Sequence, residues 1–140
     1  MNKVTDNFFV SSQIDEGHIN FFKEQGIDLV ICNRPNGEEP SQTNFELIEE
    51  ACKKAEIDFI HLPMVPGDLA PELITETKNL IDRNKKTLAY CRTGTRCINL
   101  WACANAIDND IDETIELATD AGYDLDHLRP LLEVLNSTPS

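Results

Sequence analysis

Short apolar runs along this chain alternate with stretches whose apolar residues recur at helical spacing. Phe8-Phe9-Val10 predicts a first strand, and residues 15–25, with Ile19, Phe21 and Phe22, predict a helix stopped by Gly26. Residues 27–32 are mostly apolar and of strand length, and they end in the turn-forming Asn33-Arg34-Pro35-Asn36-Gly37. A helix is expected over 43–55, a strand over 57–63, and another helix opened by Pro71 in its first turn and continued by Leu73, Ile74, Leu80 and Ile81. Residues 87–91 read as a buried strand and 96–107 as a helix carrying Ile98, Leu100, Trp101, Ala104 and Ile107. Asp112 is the expected cap of a further helix that stops at Gly122, and 124–135 forms the last one.

Strands separated by helices predict a single α/β domain with a mainly parallel central sheet of about four strands, flanked by helices on both faces. The domain is expected to span residues 1–136, with 137–140 as a short flexible tail and Asn136 already frayed. Ligands of such sheets bind beyond the carboxyl ends of the strands. Three predicted loops leave those ends, at 33–42, 63–70 and 91–96.

Composition narrows the function classes. Apolar residues make up 41% and charged residues 26%, as in a water-soluble domain. No apolar run approaches the ~20 residues of a membrane span, and the opening Met1-Asn2-Lys3-Val4-Thr5-Asp6 lacks a signal peptide's apolar stretch. A cytoplasmic protein is expected. The formal net charge of −13 argues against nucleic acid or an anionic membrane as partner. It leaves room for a small anion in a locally positive pocket. The five cysteines are odd in number and form no CxxC pair, which suits a reducing compartment. His18, His61 and His127 lie far apart in sequence, so neither a metal site nor any other cofactor is expected.

The chemistry concentrates in Tyr90-Cys91-Arg92-Thr93-Gly94-Thr95-Arg96-Cys97. Here a thiol closes a buried strand and is followed by a Gly-containing loop and a helix. The first helical turn has unpaired N–H groups and a partial positive charge, which favour a bound anion and the thiolate form of cysteine. Gly94 lets the backbone turn inward, and Arg96 supplies a planar fork for an anion. Arg92 adds positive charge, and the Thr93 and Thr95 hydroxyls are candidate donors to the thiolate or the anion. Cys32, Cys52 and Cys103 read as small core residues. Cys97 reads either as a packed first-turn residue or as a partner that resolves an oxidised Cys91.

These segments resemble the phosphatase-like domain family of beta-lactamase hydrolase-like proteins. The resemblance extends over nearly the whole chain. It is carried by Val4-Thr5-Asp6-Asn7-Phe8, Asn33-Arg34-Pro35-Asn36-Gly37-Glu38-Glu39-Pro40, Ala89 to Arg96 followed by Leu100-Trp101-Ala102, and Ala121-Gly122-Tyr123-Asp124-Leu125. It implies a fold similar to dual-specificity phosphatases, with Cys91 as nucleophile and Arg96 as the anion-binding arginine. Relatives of the domain also occur beside sulfide-oxidation enzymes. Tyrosine-phosphatase-like enzymes place five residues between cysteine and arginine, whereas four separate Cys91 from Arg96. That spacing resembles single-domain rhodaneses, whose cysteine carries sulfane sulfur as a persulfide.

Two chemistries follow, and a third reading remains. The first expectation is a sulfurtransferase: Cys91 takes sulfur from a thiosulfate-like donor and passes it to a low-molecular-weight thiol, with no acid required. The alternative is a phosphatase acting on a phosphate ester through a Cys91 phosphocysteine. That chemistry needs a general acid, and Asp68 in Pro66-Gly67-Asp68-Leu69 is the candidate; its other reading is a solvated aspartate before a helix. The third reading is a non-catalytic anion-binding or thiol redox-sensing module. Arg34 is available either to bind a second anionic group or to order its loop through Glu38 or Glu39.

Overall fold

The computed structural model of the protein describes residues 1–137. Five strands form one sheet: β1 (Asn2–Thr5), β2 (Phe8–Ser11), β3 (Leu29–Cys32), β4 (Asp58–His61) and β5 (Thr87–Tyr90), in the spatial order β1-β2-β5-β3-β4. β1 pairs antiparallel with β2; every other pairing is parallel. The strand missed from sequence is β1, a polar edge strand whose single inward apolar residue is Val4. One apolar position is too short a pattern to announce a strand.

The central strands show period-two alternation between two apolar layers. Val10, Leu29, Ile31 and Ala89 face one core, and Phe9, Val30, Leu88 and Tyr90 face the other. The first layer is closed by α3 (Pro71–Ile81), α4 (Thr95–Ala106), α5 (Ile111–Asp120) and α6 (Arg129–Ser137). The second is closed by α1 (Ile19–Glu24) and α2 (Phe45–Lys54). Both sheet faces are thus covered, which is why the four residues of β5 are all buried. α4 is buried on nearly every side, with Trp101 only 1% exposed. No helix among the described residues is long and apolar enough to cross a membrane.

Several boundaries move for local reasons. The first and last helices each open with a 3-10 turn, at Glu16–His18 and Asp126–Leu128. Asp110, not Asp112, caps α5: its Oδ2 accepts from the Glu113 N–H at 3.1 Å, while Asp112 accepts from Arg129 at 2.6 Å. Asn136 is not frayed, because its Nδ2 donates to the Ala106 and Asn109 carbonyls at 2.9 and 3.1 Å. Of the expected tail, residues 138–140 lie outside the described residues.

Candidate active site

Cys91 leaves the carboxyl end of β5, and its N–H bonds the Ser11 carbonyl at 3.3 Å, so the sheet itself fixes where the thiol stands. The chain then turns at Gly94, which has φ +89°, and α4 starts at the next residue. That backbone conformation costs an L side chain about 1–2 kcal/mol. A Cβ on Gly94 would also run into the Tyr123 hydroxyl and stand 3.1 Å from its Cζ. Tyr123 occupies that space because its Oη donates to the Thr93 carbonyl at 3.0 Å, pinning the loop from the α5–α6 side.

The result is a thiol surrounded by donors. The Gly94 N–H points at Cys91 Sγ from 3.2 Å. The neighbouring Cys97 thiol and the backbone at Cys97, Thr93 and Arg96 act on the same sulfur and lower its pKa. The Cys97 thiol is the strongest of these influences, and together they outweigh burial and bring the Cys91 pKa down to about 5. Cys97 is itself buried and raised well above its ordinary value, so it is the thiol that donates and Cys91 the thiolate that accepts. Cys91 is only 1% exposed, and burial otherwise raises the cysteines: Cys103 to about 11 and Cys52 to about 12.

Arg96 stands in the first turn of α4 with its side chain 9% exposed. Glu38 takes its fork end-on: Oε2 accepts from Nη1 at 2.9 Å and Oε1 from Nη2 at 2.8 Å. Nη1 also donates to the Met64 carbonyl at 2.8 Å. Of the five N–H groups of a guanidinium, three are held by protein. The Nε–H and one Nη2–H, on a shared edge, are open for a ligand among the described residues. Glu38 belongs to the 33–42 loop and Met64 to the 62–70 loop, so Arg96 ties both neighbouring loops to the cysteine loop.

The other expected site residues fall into distinct roles. Arg34 is 2% exposed and its guanidinium faces protein: Nε donates to Glu38 at 2.8 Å, Nη1 to Gln13 at 2.9 Å and Nη2 to Glu39 at 2.7 Å. These contacts tie Arg34 to Glu38 and Glu39 of its own loop and to Gln13 of the loop after β2. Arg92 is two-thirds exposed and pairs with Glu39 at 3.0 Å. Thr93 and Thr95 bond each other through their hydroxyls at 2.9 Å. Asp68 is exposed on the turn after Gly67, four residues beyond the Met64 carbonyl that Arg96 grips.

Glu38 as the Arg96 anchor, Cys97 as donor and Tyr123 as loop pin went unseen in the sequence. Glu38 and Arg96 are 58 residues apart, and nothing in local spacing links them. Cys97 was visible as a first-turn cysteine, but its direction was not. Among the described residues, no group of three or more His, Cys, Asp or Glu side chains is placed to hold a metal ion.

The chain is similar to several known proteins. A beta-lactamase hydrolase-like protein of Xylella fastidiosa is 26% identical over 125 residues, covering 87% of this chain and 29% of the relative. The chain therefore spans less than a third of the length of the curated relatives it matches. A Neisseria meningitidis protein provisionally named a phosphatase superposes with a TM-score of 0.83 at 33% identity, covering 96% of each chain. The catalytic core of the PP-IP phosphatase Siw14 of S. cerevisiae shares the fold, with a TM-score of 0.66 at 19% identity over 94% of this chain and 82% of that one. The fold is that of the dual-specificity and protein-tyrosine phosphatases. Residues 1–108 match the family described as beta-lactamase hydrolase-like protein, phosphatase-like domain, and the chain belongs to that family.

Proposed function

We propose that the protein is a cysteine-dependent phosphatase acting on phosphate monoesters. The observation that carries this reading is the pairing of a Cys91 thiolate, held by loop N–H groups and the Cys97 thiol, with the open Nε edge of Arg96. The phosphatase-type fold supports it and reverses the order expected from the loop spacing, which put sulfur transfer first.

In this reading the phosphoryl oxygens sit on the loop N–H groups and on Arg96, which stabilise the charge that develops there. The Cys91 thiolate attacks phosphorus, the P–O bond to the leaving group breaks, and the leaving oxygen takes a proton from Asp68. Water then attacks the phosphocysteine and returns a proton to the Asp68 carboxylate. Inorganic phosphate leaves and the thiolate is restored. Arg92 and the loop residues Thr93, Gly94 and Thr95 shape the mouth, and Arg34 braces it through Glu38.

The test is hydrolysis of p-nitrophenyl phosphate by the wild type and by Cys91→Ser. Phosphate release that the substitution abolishes supports the proposal; release that survives in Cys91→Ser rejects it. Sulfur transfer stands as the second reading because only four residues separate Cys91 from Arg96, a tight loop that suits a terminal sulfur. Its signature is one sulfur added to Cys91 on incubation with thiosulfate, read by intact mass.

A further inference from the structure

Charge is distributed unevenly between the two ends of the sheet. Lys23, Lys53, Lys54, Arg83, Lys85 and Lys86 lie on helix ends and loops that lead into the amino ends of strands, away from Cys91. Of the lysines and arginines among the described residues, only Arg34, Arg92 and Arg96 stand on the loops that leave the carboxyl ends or in the first helical turns after them. All three are already paired, Arg34 and Arg96 with Glu38 and Arg34 and Arg92 with Glu39. The same loops and the first helical turns after them also carry Asp15, Glu16, Glu46, Asp68 and Glu72. Seven carboxylates thus share these loops and first helical turns with three arginines, on a chain of net charge −13.

One anion is provided for at the bottom of this mouth, by loop N–H groups, the helix start and the free edge of Arg96. A second anionic group on the same substrate would find no uncommitted cation among the described residues of this rim. It would instead sit among carboxylates that are screened only by water and salt. We infer that the site selects substrates carrying a single phosphoryl group on a neutral or cationic body, and that it discriminates against polyanions. This rests on the phosphatase reading above and names its substrate class.

The test uses the full chain and three phosphotyrosine peptides of equal length, with the phosphotyrosine flanked by arginine, by neutral residues or by aspartate. At low ionic strength kcat/KM is expected to fall in that order, by about threefold for each added negative charge, and the spread is expected to shrink as salt rises. Glu39→Gln, which releases Arg92, is expected to narrow the spread. An aspartate-flanked peptide turned over as fast as the arginine-flanked one, or a spread that Glu39→Gln leaves unchanged, overturns the inference.

A readout without turnover separates this failure from that of the phosphatase reading. Orthophosphate and inositol hexakisphosphate are compared as protectors of Cys91 against iodoacetamide. Protection by orthophosphate at the lower concentration supports the single-anion mouth even if no ester is hydrolysed. Stronger protection by the hexakisphosphate overturns it even if p-nitrophenyl phosphate is a good substrate.

Discussion

Glu38 holds Arg96 by both carboxylate oxygens, at 2.9 and 2.8 Å, and so decides which edge of the guanidinium is left for a ligand. The Arg96 hydrogen bonds keep the Glu38 carboxyl below the usual carboxylate range, with Arg34 adding and partial burial opposing. A depressed carboxyl contributes stability that is present above the ordinary glutamate value of ~4.3 and lost as pH falls through the lower folded value. Glu38→Gln keeps one acceptor oxygen but cannot grip both nitrogens. Its kcat/KM for p-nitrophenyl phosphate is expected to fall by about 10- to 100-fold, because a misplaced arginine misses the transition state. Glu38→Ala is expected to lose more and to cost about 2 kcal/mol in urea unfolding, since two buried arginines lose an acceptor. Unchanged kinetics in both variants would mean that Arg96 is positioned by something else.

The second prediction concerns Cys97. Because its thiol is the largest influence lowering Cys91, Cys97→Ala is expected to raise the Cys91 pKa from about 5 toward its ordinary value. The thiolate fraction grows with pH, so iodoacetamide alkylation of Cys91 in the wild type should rise through about pH 5 and flatten above it. The same curve in Cys97→Ala should shift to higher pH, while Cys97→Ser, which keeps a donor, should stay near the wild type. Superimposable curves for Cys97→Ala and the wild type would remove Cys97 from the account.

Gly94 and Tyr123 give a third, two-part prediction. Gly94→Ala combines a forbidding φ of +89° with a collision against Tyr123, and is expected to abolish activity and lower stability. Adding Tyr123→Ala removes the collision but not the backbone strain of about 1–2 kcal/mol. The double variant should therefore recover only part of the stability lost by Gly94→Ala, read by urea midpoints. Full recovery would show that φ at this position is unconstrained.

Much of the fold was legible because period-two and period-3.6 patterns sit where burial is two-sided: the segments around β3, β5 and α4 are nearly continuous apolar runs. Cys91 and Arg96 were legible for a related reason, since a thiol at a buried strand end followed by Gly94 and a helix start is a local pattern. What stayed hidden was long-range or directional. β1 has one inward residue, Glu38 reaches Arg96 across 58 positions, and Thr93 and Thr95 turn out to bond each other. Loop spacing alone pointed toward sulfur transfer, because sequence shows the number of residues between Cys91 and Arg96 but not the donors around them.

Arg34 yields the fourth prediction. Its three acceptors order the 33–42 loop, so Arg34→Ala is expected to lower stability by about 3 kcal/mol, mostly from stranding buried partners. Arg34→Lys should recover little, because one ammonium cannot span Glu38, Gln13 and Glu39 in the arginine's planar geometry. If Arg34 bound a second anionic group, KM would rise selectively for substrates that carry one. The geometry predicts that Arg34→Ala leaves the ratio of KM for singly and doubly anionic esters as it is in the wild type.

The most direct test of the central claim is the covalent state of Cys91 during turnover. Rapid acid quench of the enzyme with p-nitrophenyl phosphate, followed by peptide mass analysis, is predicted to find one phosphoryl group on the peptide containing Cys91, enriched in Asp68→Asn if that acid assists breakdown, and absent in Cys91→Ser. An unmodified Cys91 under these conditions, together with a persulfide on the same residue after exposure to thiosulfate, would contradict the phosphatase account and reinstate sulfur transfer.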